Sequence, residues 1–477
     1  MPSEKPTLFE FSNELYDVTF SNHGASIVRL AYKGEPHKQE ITHTVFYEGT
    51  PGLFSVEMQQ DEGLKNIPFK FSGHDEAAQI FEFAFEKPGE YRLIKQYNLN
   101  NQTPVIGLKI ILENLSSHEK HFPLSIHLGM NYELTRHHLA RDFEVLASSE
   151  KIESANLDKV SKKGFALSKE MDWAGVVKKY FAILVKPDWK SSALTAFSDE
   201  KTLGAVLRTE PITVAAGAKS EHQVFIYAGP QRYEVLKSFD MGFEQILSRG
   251  IIGTVKIWLL FALKFCHRFS GNFGWAIILL TLFLKGLFTP LTHMSFESMK
   301  KMQALQPRLK SLQERFKNDP AKLNRETMEL YRRNRVNPMA GCLPMLVQIP
   351  IFIAFYQVLN ETIELKGAPF FGWIRDLSEP DRLIAFPFTL PFIGDSFNVL
   401  PLFMLASMYW QQKLSPQTAA TPEQTKMFAF MPLIFGVLFY SMPSGLVLYW
   451  FVNNVLSIIH QVFVKRIVVV LHHEDRE

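Results

Sequence analysis

The chain has 477 residues, more than one ordinary domain holds, and its 51 Lys and Arg against 48 Asp and Glu leave a formal net charge of only +3. So small an excess gives no support to a nucleic-acid binder or to a protein that collects acidic substrates by bulk charge. Two cysteines, Cys266 and Cys342, exclude a disulfide framework, and both fall in apolar stretches where they read as small hydrophobes.

The N-terminus, MPSEKPTLFEF, is polar and lacks the basic region, apolar core and small-residue cleavage site of an export signal. From residue 8 to about 228 the chain reads as all-β. Runs with alternation or β-branched and aromatic enrichment recur at 15–20, 26–32, 79–85, 105–112, 180–186, 205–210 and 222–229, parted by turns such as NHG, KPGE, NLNNQ and AAGAKS. Many short strands at this spacing predict a β-sandwich. His137 and His138 are adjacent, so a strand would point them to opposite faces, which is poor metal geometry; they read as surface residues. Residues 231–249 predict a helical connector.

The composition changes at residue 251. IIGTVKIWLLFALKFCHRF (251–269) is amphipathic, interrupted by Lys256, Lys264, His267 and Arg268, and predicts a helix lying in a membrane interface. Five long apolar stretches follow, which place membrane-spanning helices near 272–294, 341–363, 397–414, 427–442 and 444–465. A hydrocarbon core about 30 Å thick takes about 20 apolar residues, fewer where flanking side chains snorkel. Pro401 and Pro432 interrupt the third and fourth stretches, which a membrane helix tolerates, and Pro443-Ser444-Gly445 allows only a tight turn between the last two.

Loop charge sets the orientation. Eleven Lys and Arg lie in 295–340 and three in 364–396, which puts 295–340 in the cytoplasm by the positive-inside rule. Five spans then carry the C-terminus to the cytoplasm and the β-domain to the other side. A β-domain there needs an export signal, so we expect a signal-anchor helix ahead of Met1, or a start codon upstream of it. The basic loop has helical periodicity on both sides of Asn318-Asp319-Pro320, a capping acid before a proline at the first helical position, and predicts a helical hairpin.

The spans carry polar residues that cost free energy against lipid. Lys285 sits inside the first, with Thr281 one turn earlier on the same face. Gln348 and Gln357 lie in the second, Gln411 and Gln412 end the third, and Asn453, Asn454, Ser457, His460 and Gln461 occupy the last. Together they predict a polar groove on the inner half of a small bundle. A lysine six residues before Leu291 could instead snorkel to the headgroups. No catalytic motif, paired-Cys motif or phosphate loop is present, and no acid sits in mid-span. The chain therefore reads as no enzyme and as needing no cofactor and no metal. Two rival classes are a sugar-active membrane enzyme, which needs clustered carboxylates and His in the β-domain, and a solute transporter, which calls for inverted repeats. The sequence shows neither.

Several long motifs resemble the YidC membrane protein insertases. They are NPMAGCLPMLVQIPIFIAFYQVL (337–359), KGLFTPLTHMSFESMKKMQALQP (285–307), APFFGWIRDLS (368–378) and MPSGLVLYWFVNN (442–454), with looser matches at KKYFAILVKP and YAGPQ (227–231). The resemblance implies an α+β multidomain membrane protein: an all-β supersandwich periplasmic domain similar to galactose mutarotase folds (1–230), a connector and amphipathic interfacial helix (231–270), and an insertase core (271–466) of five transmembrane helices with a cytoplasmic helical hairpin (295–340) before a short cytoplasmic tail (467–477). It implies a groove open to cytoplasm and lipid that accepts nascent membrane proteins and releases their apolar segments into the bacterial inner membrane, alone or with the Sec translocon and its accessory subunits, and that also assists folding. The implied partners are nascent chains, the Sec translocon, ribosomes and membrane lipids.

On this reading the groove residues are Lys285, Thr281, Gln348, Asn453, Asn454 and Ser457, with Tyr449 and Trp450 as contacts for substrate helices. Two departures from the family stand out. Its groove charge is usually arginine, where this chain has Lys285, and the tail LHHEDRE is not strongly basic, which weakens a tail-borne ribosome contact.

Overall fold

A computed structural model describes residues 5–34, 44–58, 63–75, 79–133, 140–337, 343–390, 394–414 and 422–474. His137, His138 and Cys342 lie outside the described residues, as do the last three residues of the tail. The chain forms two compact units, Met1–Leu247 and Ser248–Glu477.

The first unit is built of strands β1 (Leu8–Ser12), β2 (Tyr16–Ser21), β3 (Ser26–Tyr32), β4 (Thr44–Leu53), β5 (Val56–Met58), β6 (Lys70–Asp75), β7 (Ile80–Lys87), β8 (Tyr91–Leu99), β9 (Val105–Asn114) and β10 (Lys120–Phe122). It continues with β11 (Leu124–Asn131), β12 (Phe143–Ser148), β13 (Ile152–Asn156), β14 (Phe165–Leu167), β15 (Trp173–Lys178), β16 (Phe181–Pro187), β17 (Ser191–Ser198), β18 (Thr202–Thr209), β19 (Ile212–Val214) and β20 (Lys219–Pro230). A nine-stranded antiparallel sheet runs β13-β12-β15-β16-β20-β9-β8-β7-β6. Opposite it stand a four-stranded sheet, β1-β2-β3-β4, and a five-stranded sheet, β14-β17-β18-β11-β5.

Alternation decides which face turns inward. In β9 every second residue, Ile106, Leu108, Ile110 and Leu112, is fully buried. Phe20 of β2 packs on Phe81, Phe83 and Tyr97 with centroids 4.9, 5.8 and 5.1 Å away, joining the small sheet to the large one. Strands β11 and β18 lie against β12, β15 and β16, which closes the other half of the sandwich.

One helix, α1 (Leu157–Lys163), breaks the expected all-β pattern. Asn156 caps it by accepting from the Lys159 amide at 3.0 Å, and Leu157 and Val160, three apart, bury one side of it. Residues 231–247, expected as connector, belong to this unit. Within them α2 (Tyr233–Ser238) and a short 3₁₀ turn bury Leu236, Phe243 and Ile246, with Phe243 edge-on to Trp173 at 5.8 Å.

The sandwich also buries a lysine. Lys95 is 0% exposed, and its Nζ donates to the carbonyls of Gly24, Ala25 and Phe54 at 3.0, 2.6 and 2.7 Å. All three residues have left-handed backbone, φ +63°, +43° and +57°, so their carbonyls turn inward instead of joining a ladder. Burial pushes the Lys95 ammonium well below its ordinary pKa.

The second unit holds α3 (Gly250–Ser270), α4 (Phe273–Ala304), α5 (Gln306–Arg315), α6 (Pro320–Arg333), α7 (Leu343–Glu361), a hairpin of β21 (Ile384–Leu390) and β22 (Gly394–Phe397), α8 (Leu400–Leu414), α9 (Pro422–Phe439) and α10 (Ser444–Glu474). Among the described residues, three helical stretches are long and apolar enough to cross a bilayer: α3, α4 and Ser444–Phe463 of α10. Leu346–Glu361 and Phe430–Phe439 are shorter apolar helices. The composition of α3 thus suits a span as well as the interface. Its lysines are not bare: Lys256 meets Glu361 at 2.6 Å and Lys264 meets Glu364 at 3.0 Å.

Helix α4 runs ten residues past the expected end of its span, straight through Pro290. Proline removes one amide donor, while Thr289 and Thr292 donate their hydroxyls to the carbonyls of Lys285 and Phe288 at 2.7 and 2.9 Å. Beyond it, Asp319 caps α6 by accepting from the Lys322 amide at 3.0 Å, with Pro320 at the first helical position. Helices α5 and α6 pack around Met302, Leu305, Leu309, Tyr331 and Val336.

The segment 368–381 ties helix ends together. Asp381 Oδ2 accepts from the amides of Val399 and Leu400, both at 2.9 Å, at the start of α8, and from Trp373 Nε1 at 2.7 Å. The carbonyls of Glu379 and Leu377 accept from the first amides of α10, Ser444 and Gly445, at 2.7 and 2.9 Å. At Gly274, near the start of α4, the Phe370 ring stands where a Cβ would go, 2.0 Å from it, so only glycine fits.

Candidate functional site

Helices α4, α7, α8, α9 and α10 enclose a cavity of about 480 Å³. Its apolar wall includes Leu284, Phe288, Ile351, Met408, Met431 and Phe435. All eight residues singled out from the sequence line it: Lys285, Thr281, Gln348, Asn453, Asn454, Ser457, Tyr449 and Trp450.

Lys285 reaches across to α10. Its Nζ donates to Ser457 Oγ at 2.6 Å and, at 3.4 Å, to Asn453 Oδ1. Ser457 in turn donates to the Asn453 carbonyl at 2.7 Å, which fixes its lone pairs toward the ammonium. Lys285 therefore does not snorkel along α4. Neighbours Phe283 and Leu287 are each 57% exposed, while Thr281, Leu280 and Ile277 are buried, so the lysine stands where α4 meets α10. One face of a helix is set every three or four residues, which is why Thr281, Lys285 and α10 share the seam.

The other groups divide by what they still offer. The Thr281 hydroxyl donates back to the Ile277 carbonyl at 2.6 Å, so it presents an acceptor. Asn454, 4% exposed, donates to Ser407 Oγ at 3.1 Å and pins α10 to α8. Gln348 of α7 donates to the Tyr449 hydroxyl. Tyr449 is only 2% exposed and packs on Phe355, with centroids 4.7 Å apart, so it presents little surface to a passing helix. Trp450 is half-buried among Phe352, Phe435 and Phe439, centroids 5.1 to 5.6 Å away.

Ser407 is the partner that sequence reasoning missed. A single serine in an apolar stretch carries no signal until the asparagine it faces is known. Gln411, Gln412, His460 and Gln461, noticed only as polar residues in spans, also line the cavity. Among the described residues the His460 Nδ1 is buried without a hydrogen-bond partner.

A polar cavity with one lysine, walled by apolar helices, suits transient contact with polar and apolar segments of another chain. Comparison with known proteins decides the family. Residues 9–259 match the model of the YidC periplasmic domain, and residues 265–471 match that of the 60Kd inner membrane protein. The membrane protein insertase YidC of Burkholderia multivorans is 32% identical over 495 residues, covering 98% of this chain and 85% of that protein. The chain belongs to the YidC membrane protein insertase family. The YidC insertase of Pelobacter propionicus is 41% identical over 325 residues, covering 68% of this chain and 59% of its own length. Among solved structures, an active YidC insertase with its first transmembrane domain resolved matches at 17% identity and TM-score 0.40, covering 96% of this chain and 92% of that one. Within the YidC family frame, the β-sandwich corresponds to the periplasmic domain and the helical unit to the membrane part.

Proposed function

We propose that this chain is a membrane protein insertase: it accepts the polar part of a nascent membrane protein in the Lys285 cavity and lets the apolar segment pass between its helices into the inner membrane. The observation that carries this reading is the cavity itself, in a chain whose relatives over nearly its whole length are named as insertases. Moving a polar segment into hydrocarbon unpaired costs about 4–8 kcal/mol per amide or hydroxyl. Groups such as Lys285, Asn453 and Gln348 offer that segment hydrogen bonds part of the way across, and so lower the barrier. No covalent step is needed.

Helices α4, α7, α8, α9 and α10 are the five spans of this reading, with the β-domain periplasmic and the C-terminus cytoplasmic. The α5–α6 hairpin stands in the cytoplasm and α3 lies in the interface, its paired lysines toward the protein. Local thinning of the bilayer beside the cavity would further shorten the polar segment's path across it. Nascent chains are the substrates. The Sec translocon, ribosomes and lipids are partners, and assistance in folding is a second task of the same surface.

Purified chain in liposomes tests this. A single-span protein added as it is synthesised becomes protease-protected at levels above those of protein-free liposomes. Equal protection in both sinks the proposal, and solute flux in its place points to a transporter. Thiol labelling of Lys317→Cys and Lys366→Cys from opposite sides of the membrane checks the orientation.

A further inference from the structure

The β-domain has a second cavity, independent of the insertase reading. It encloses about 410 Å³, within the roughly 300–1,000 Å³ of small-molecule sites, and its wall is mostly polar. It lies on the five-stranded sheet, lined by Glu57, Lys65, Ser125, Ser192, Arg208 and Thr209 together with four apolar residues.

Strand register builds the row. Ser125 of β11 is opposite Arg208 of β18 on one side and Glu57 of β5 on the other. Residues opposite one another in neighbouring strands point to the same face, so Arg208, Ser125 and Glu57 stand side by side. Their chain neighbours Leu207, Ile126 and Val56 point to the other face and are buried in the core. Ser192 is the extra residue of a β-bulge in β17, between Ser191 and Ala193, and so comes to the wall beside Arg208.

The charges are unequally committed. Glu57 lies 2.6 Å from Lys65 Nζ and 3.1 Å from His127 Nε2. Burial pushes the Glu57 carboxyl up, but the proximity of Lys65 and His127 outweighs it and holds the carboxyl below its ordinary value, while burial lowers His127. Glu57 and Lys65 therefore cancel. Arg208 has no ion-pair or hydrogen-bond partner among the described residues, and neither have the side chains of Ser125 and Ser192. What remains open to the cavity is one guanidinium fork flanked by two hydroxyls. That set matches a single planar carboxylate with adjoining polar groups.

We propose that this cavity binds a carboxylate-bearing ligand, held bidentately by Arg208 with Ser125 and Ser192 taking its neighbouring oxygens. The carboxylate can belong to a sugar acid or to an acidic residue of a peptide. Titration calorimetry on the full chain in nanodiscs separates them, using glucuronate, a blocked glutamate tripeptide, glucose and inorganic phosphate as probes. The expected result is saturable binding of at least one carboxylate probe and none of glucose, the tighter carboxylate naming the source. Arg208→Ala abolishes the signal, and Arg208→Lys, which keeps the charge but loses the fork, weakens it about tenfold. Arg208 is exposed, so both variants keep the wild-type melting temperature, which certifies the fold. The inference is overturned if neither carboxylate saturates, if phosphate alone binds, or if Arg208→Ala binds as the wild type does.

Discussion

Replacing Lys285 by alanine removes the cavity's ammonium while leaving its apolar wall in place. The ammonium has three protons: Ser457 takes one at 2.6 Å and Asn453 a second at 3.4 Å, longer than a strong bond. At least one donor is therefore open to an acidic residue of a substrate tail. A hydrogen bond to a charged group contributes about 1.5–3 kcal/mol, and each 1.4 kcal/mol is about tenfold. Insertion of a substrate with an acidic tail should then slow about 10- to 150-fold in Lys285→Ala. A neutral-tailed substrate loses only the polarity of the cavity and slows a few-fold. Lys285→Arg should restore both, because the charge and reach return. The assay is the rate at which matched single-span proteins, differing only in tail charge, become protease-protected in proteoliposomes. Equal rates for Lys285→Ala and wild type on both substrates refute the argument, and so does an equal loss on both.

Three other perturbations reach other parts of the chain. Lys95→Met leaves the carbonyls of Gly24 and Phe54 without a donor, while Ala25 keeps the Tyr97 hydroxyl at 2.7 Å. Two orphaned carbonyls cost about 2–6 kcal/mol, less what is regained by no longer burying an ammonium, so thermal melting of the β-domain should fall by about 5–15 °C. Asp381→Ala uncaps α8 and frees Trp373, which should lower the melting temperature of the helical unit in detergent; Asp381→Asn keeps the cap and should lose less. Lys109 and Lys219, 2.6 and 3.0 Å away, hold the Glu221 carboxyl down at about 2 from 4.5. The unfolded chain thus binds that proton first as pH falls, so this stability is whole above pH 4.5 and is lost toward about 2. Glu221→Gln should flatten the acid limb of a melting-temperature profile; an unchanged slope rejects the assignment.

The sequence by itself determined the two-part plan. Alternation with period two and turn residues marked the sandwich, and apolar stretches broken by Lys285 marked the membrane part. These signals are local, since a strand or helix must bury one face whatever it meets. The N-cap at Asp319 was legible for the same reason. What only the tertiary structure decided are pairings between residues far apart in the chain. Ser407 with Asn454, Lys285 with Ser457, and Lys95 with three turned-in carbonyls all join residues separated by 41 to 172 positions. The joining of α4 through Pro290, and of residues 231–247 to the sandwich, likewise depended on hydroxyl back-bonds and on Trp173 lying under Phe243. A polar residue in an apolar run announces that it needs a partner. Packing alone decides which partner, because the hydrogen bond is made only where two elements are brought within about 3 Å.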